Sequence, residues 1–131
     1  VLQGQTIHQA LSSALSQAGG KLLPRIEQAL QTPALNSADA AKSFGSSCHV
    51  QEGLPLIVHI VRHASDYRSA VQENIRIGGD SCGRSILLGA IMAAYTAQQQ
   101  DNNTAIPLEW LARYRKLSIA ADACAKLVVS G

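Results

Sequence analysis

Aromatic side chains are scarce in this 131-residue chain, which has one Phe, one Trp and three Tyr. A β-sandwich of this size draws much of its core from aromatic and β-branched residues. Here the apolar 47% must be mainly Leu, Ile, Val and Ala, which suits helices packed on helices. Charge is scarce too, at 15% of residues with a formal net charge of +2. The basic residues stand singly apart from Arg113, Arg115 and Lys116, which excludes the clustered Lys/Arg face of a nucleic-acid surface. Cysteines number three, an odd count without repeated spacing. Free thiols in a reducing compartment, and so a cytoplasmic location, are expected. No run approaches the roughly 20 apolar residues of a bilayer span, and no secretory leader is read. Neither a membrane nor secretion is expected. The chain opens at Val1 without Met, as a processed or truncated product does.

What is present is helical periodicity. No segment alternates over strand length, and no repeat or low-complexity linker interrupts the chain. The expected fold is all-α, one compact bundle of about seven or eight short helices around a central apolar helix. Ile7, Leu11, Ala14 and Leu15 share a face within residues 5–18, with Thr6 as N-cap and Gly19-Gly20 as the stop. Pro24 opens a helix that Pro33 closes, and Ser37 caps a short one that Gly45 ends. Pro55 opens residues 54–64, which are apolar on most sides. Asp66 caps residues 67–77, with Ala70, Val71 and Ile75 as the stripe and Gly78 as the stop. Pro107 starts a helix that turns Leu108, Leu111 and Ala112 inward. The last helix, residues 117–128, aligns Ile119, Ala120, Ala123, Leu127 and Val128 and places Cys124 in the core.

Residues 74–98 are the stretch around which the rest is expected to be organised. Residues 86–94 contain no polar side chain, and a helix apolar all round is enclosed by others, so they should be among the most buried. Gly78-Gly79 breaks the chain and delivers Asp80 to the helix N-terminus, where free N–H groups favour a carboxylate or an anion. Asp80 either caps the helix through the N–H groups of Gly83 or Arg84 or faces a cleft. Arg76 and Arg84 flank this turn, and Arg62 stands upstream. A guanidinium fork suits phosphate or carboxylate; as exposed helix charges these residues need no ligand. His59 and His63 have the i, i+4 spacing that zinc sites use, without a third ligand fixed by the sequence, and a structural pair is the alternative. Cys48 and Cys82 are candidate nucleophiles with His49 as base, or ordinary small apolar residues. No catalytic residue is assigned.

Four features in order resemble the ADP-ribosylglycohydrolase family. They are Phe44-Gly45-Ser46-Ser47-Cys48-His49-Val50 with Gly53-Leu54-Pro55; Gly78-Gly79-Asp80-Ser81-Cys82-Gly83-Arg84-Ser85; Gly89-Ala90 within the helix that follows; and Ile106-Pro107-Leu108-Glu109-Trp110 after a polar loop. The family pattern at the second feature is Gly-Gly-Asp-Thr-Asp-Thr. The chain is similar to a branch with Cys for the second Asp, whose relatives include crystallin-like proteins. The resemblance runs over residues 37–115.

The resemblance implies hydrolysis of a glycosidic bond between ADP-ribose and an acceptor, with Mg²⁺ as cofactor and an ADP-ribose-type ligand. The two Asp and the final Thr of the family motif help hold a pair of Mg²⁺ ions. Asp80 matches the first Asp and is the expected metal ligand; Ser81 matches the non-ligand Thr, Cys82 the second Asp and Gly83 the ligand Thr. Arg76, Arg84, Ser81 and Cys82 are the expected ligand-binding residues. The positions matched by Cys82 and Gly83 carry no oxygen ligand, and no Thr-Asp-Asp-like cluster is present. Residues 1–131 therefore resemble the C-terminal part of such a protein without its N-terminal half, expected to work beside a complementary chain or a second copy. The alternative is a non-catalytic structural or binding protein on the same scaffold.

Overall fold

The computed structural model describes residues 5–15, 17, 20–99, 101 and 103–129, with residues 127–129 by backbone alone. Among them are eight α-helices and no strand: α1 (Ile7–Leu15), α2 (Leu23–Gln31), α3 (Ser37–Phe44), α4 (Val50–His63), α5 (Tyr67–Ile77), α6 (Ser81–Gln98), α7 (Leu108–Ala112) and α8 (Leu117–Val129). The all-α bundle expected from periodicity is what the chain forms. No helix among the described residues is long and apolar enough to cross a membrane.

Short polar side chains start several of these helices. Thr6 Oγ1 accepts the Gln9 N–H at 3.3 Å while Gln9 returns a bond to the Thr6 N–H at 2.9 Å, a reciprocal cap. Asp66 and Ser69 do the same for α5. At α3 the cap is Asn36, which accepts the Asp39 N–H at 3.0 Å. Ser37, expected in that role, lies inside the first turn and donates to Glu73 at 2.7 Å. Helix α4 starts at Val50, not at Leu54, so Pro55 lies inside it and forfeits one intrahelical hydrogen bond, to the Gln51 carbonyl.

The central apolar helix is α4. Its residues from Pro55 to Val61 are all buried, and it packs on α1, α2, α3, α5 and α6. The expectation for residues 86–94 is corrected. In α6, Leu88 and Met92 are wholly buried, whereas Ile86 is 79% exposed and Leu87 43%. The buried positions Arg84, Leu88, Met92 and Thr96 recur every fourth residue, one stripe of a helix lying on the surface of the bundle. An apolar run says which faces tolerate burial; among the described residues this stripe is fully covered, and Ile91 and Tyr95 beside it are half-buried against the core.

Three further expectations change. The buried stripe of α5 is Ala70, Asn74 and Ile77, while Ile75 is 61% exposed. In α7, Leu108 is exposed and Trp110 makes the anchor, edge-on to Tyr67 and under the Arg68 guanidinium, which also pairs with Glu109. Helix α8 lies on the surface with Ile119 and Cys124 exposed, so Cys124 is not a core residue. The stop expected at Gly19 and the inward faces expected for Leu127 and Val128 lie outside the described residues.

Within the core, His59 is 3% exposed and sits between Phe44 and His63, with ring centroids at 5.3 and 4.8 Å. Burial, helped by the nearby His63 and Arg62, pushes its pKa below the ordinary histidine value, with Glu73 opposing. The unfolded imidazole therefore takes up its proton at higher pH than the folded one. Stability is full above about pH 6.5 and is lost as pH falls below it, until the depressed folded-state value is reached. Urea unfolding followed from pH 8 to 5 should show this loss, and His59→Leu should flatten it. A wild-type stability independent of pH across that range contradicts the assignment.

Candidate functional site

Two left-handed glycines build the turn before α6: Gly78 at φ +75° and Gly79 at φ +62°. A Cβ on Gly79 would lie 2.0 Å from the Ser46 carbonyl oxygen, so only glycine lets the two segments meet this closely. The same carbonyl accepts the Asp80 N–H at 2.9 Å. The turn is thus fastened to the segment between α3 and α4, and a cavity of about 310 Å³ opens beside the junction. Asp80, Gly83 and Arg84 line it from the start of α6; Cys48, His49 and Val50 line it from the start of α4, and Leu54, Ile57 and Leu87 complete an apolar wall.

Arg84 holds the junction together. It is 3% exposed, and its guanidinium donates from Nε to Asn74 Oδ1 at 2.8 Å, from Nη1 to the Ser46 carbonyl at 3.1 Å, and from Nη2 to the carbonyls of Asn74 and Gly78. All of these acceptors are neutral, so the cation is buried without a bonded carboxylate. Burial lowers the Arg84 pKa, and the Asp80 charge nearby opposes that shift. Asn74, wholly buried on α5, answers with its own amide, donating to the Ser81 carbonyl and to Ser85 Oγ, each at 2.9 Å. The reading of the sequence did not single out Asn74. The available signal was a polar residue at the fourth position after Ala70, in the buried stripe. Glu52 was missed as well: its carboxylate accepts the Ser47 N–H at 2.9 Å, and this bond holds its pKa below the ordinary value.

Asp80 lines the cavity and also caps α6, accepting the Gly83 N–H at 3.0 Å. Gly83 permits this pose, since a Cβ there would lie 2.3 Å from Asp80 Oδ2. Ser81 is half-buried and Cys82 is exposed, and neither lines the cavity. Arg76 does not stand beside Asp80. It pairs loosely with Glu73 at 3.8 Å and lines a different cavity with His59 and His63. The structure therefore brings Asp80, Arg84, Cys48 and His49 together and places Arg76 elsewhere.

Magnesium demands several hard oxygen ligands. Asp80 offers one carboxylate, already engaged as a cap, Cys82 offers a soft thiol, and Gly83 has no side chain. Among the described residues no group of three or more His, Cys, Asp or Glu could hold a metal ion. The residues present do not fit a pair of magnesium ions.

No curated protein and no solved structure matches the chain. A family model, ADP-ribosylglycohydrolase, matches residues 1–130, taking in both sides of the cavity and every helix around it. The chain belongs to the ADP-ribosylglycohydrolase family.

Proposed function

We propose that the cavity beside Asp80 is this chain's share of an ADP-ribose site, in a protein that hydrolyses an ADP-ribose glycosidic bond once acidic residues from outside residues 1–131 complete it. One observation carries the reading: the cavity has a polar end at Asp80 and Arg84 and an apolar wall at Val50, Leu54 and Leu87. A ligand with a flat base and an anionic tail suits such a site, and the buried Arg84 charge favours the anion. Ser81 and Cys82 stand outside the cavity lining, and Asp80 is the single carboxylate this chain offers there. A second reading, a non-catalytic binding protein on the same scaffold, is favoured by the capped pose of Asp80.

A partner belongs to the proposal. Exposed Ile86 and Leu87 on α6 and Ile119 on α8 are costly to leave in water, and monomers seldom carry apolar patches beyond a few hundred Å². A complementary chain or a second copy would cover them. Free cysteines support a reducing, cytoplasmic setting.

Calorimetric titration with ADP-ribose tests the site. The expected Kd is about 0.1–1 mM, weakened at least about tenfold, or ~1.4 kcal/mol, by Leu87→Trp, which fills the mouth of the cavity. Equal binding by wild type and Leu87→Trp, or none by either, contradicts the reading. Light scattering on the same samples should show an associated species; a stable monomer overturns the partner.

A further inference from the structure

A smaller cavity, of about 120 Å³, lies behind the apolar wall of the one beside Asp80. Leu54 and Ile57 line both cavities and form the partition between them. The lining of the smaller one comes from α1, α2, α4 and α6, and every side chain in it is aliphatic. Ile57, Val58 and Val61 on α4 are buried, whereas Ala14 on α1 is exposed and Leu15 half-buried. The cavity is therefore closed toward α4 and reached along α1.

The residue types explain why packing leaves this space. Ile26, Ile57, Val58, Val61 and Ile91 are β-branched and stand on helices, where one χ1 rotamer is strongly preferred. They make stiff walls that do not swing inward. No larger side chain is at hand, since the one Phe of the chain, Phe44, packs against His59. Such a space is costly, because its lining loses dispersion contacts. Protein interiors hold few voids larger than a water molecule.

The chemistry of the lining decides what suits the space. A buried water needs two to four polar partners, and no polar side chain lines this cavity. An ion is excluded by the same lack. An apolar cavity of about 150 Å³ lined by Leu, Ile and Phe stays dry and binds benzene or xenon. The cavity here is comparable in size and composition.

We propose that it binds a small apolar molecule, of roughly six carbon atoms and without a polar group, which enters past Ala14 and packs on Leu54 and Ile57 from behind. The inference goes beyond the ADP-ribose reading and does not rest on it, since the ligand is held on the opposite face of the partition. An occupant braces both partition side chains, and with them the wall of the cavity beside Asp80.

Benzene, titrated into the full chain without ADP-ribose and followed by the ¹³C shifts of the methyl groups, tests the site. Ile26, Val58 and Val61 should shift saturably together with Leu54 and Ile57, with a Kd of about 1 mM for so small a ligand. Phenol should bind at least about tenfold more weakly, because its hydroxyl finds no partner. Val58→Phe places a ring inside the cavity, and Ala14→Phe covers its exposed end; each should weaken benzene binding by about tenfold or more, or ~1.4 kcal/mol. Ile119→Ala, on the exposed α8, should leave it unchanged. Absence of a saturable shift up to the solubility of benzene overturns the proposal. So does a shift that survives both Phe variants, one confined to Val50 and Leu87 around the first cavity, or phenol binding as tight as that of benzene.

Discussion

Arg84→Leu is expected to destabilise the chain by about 3–5 kcal/mol in urea or guanidinium unfolding. The leucine keeps an apolar stem in the α6 stripe but strands Asn74 Oδ1 and the carbonyls of Asn74 and Gly78, all of which Arg84 satisfies from a buried position. Each stranded acceptor costs about 1–3 kcal/mol, against a gain of about 1–2 kcal/mol from burying apolar side chain and removing a desolvated cation. The Ser46 carbonyl loses less, because the Asp80 N–H still reaches it. Arg84→Lys should recover only part of the loss, since an ammonium cannot span acceptors on α5, on the glycine turn and on the α3–α4 segment as a planar fork does. Asn74→Ala combined with Arg84→Leu should cost less than the sum of the two, with a coupling of about 1–3 kcal/mol. A loss below about 1 kcal/mol for Arg84→Leu would mean that the junction is held by the Gly79–Ser46 packing and not by the guanidinium.

Helix boundaries were legible wherever a local chemical signal marks them. Thr6, Asp66, Gly45 and Gly78 act as caps or stops, because capping is decided by a side chain and the backbone within a few residues of it. Which helix lies at the centre was not legible from residues 86–94 alone. Helix α4 carries a histidine and a proline among its buried residues and yet has neighbours on most sides, while the more uniformly apolar α6 has one covered stripe. That difference comes from topology, which an apolar run does not encode. The site divided in the same way. Asp80 and Arg84 lie one helical turn apart, so their association followed from spacing. Arg76 lies on α5, one turn after Glu73, and the face it shares with that residue turns it to the other cavity. Asn74 became visible only once Arg84 was found buried, since a partner ten residues away in the chain is set by how α5 packs on α6.

The metal question turns on Gly83 and Cys82. A side chain at position 83 cannot coexist with the present Asp80 pose, because its Cβ would lie 2.3 Å from Oδ2. The carboxylate is the mobile end of that contact, so Gly83→Thr should drive it off the cap and toward the cavity, at a cost of about 1 kcal/mol for the lost cap. Cys82→Asp replaces a soft sulfur with a hard oxygen donor, the type Mg²⁺ prefers. The double variant would then present two carboxylates and a hydroxyl on one helical start, where the wild-type chain offers one capped carboxylate. Its fold should be intact, since Cys82 and Gly83 are both exposed.

Calorimetric titration with Mg²⁺ is the most direct measurement. Wild-type chain should show no saturable binding below about 10 mM, an affinity weaker than about −3 kcal/mol. Cys82→Asp/Gly83→Thr should bind at least about tenfold more tightly than that limit and lose the gain when Asp80→Ala is added. Tight Mg²⁺ binding by the wild-type chain that survives Asp80→Ala would contradict the account and place the metal on other residues.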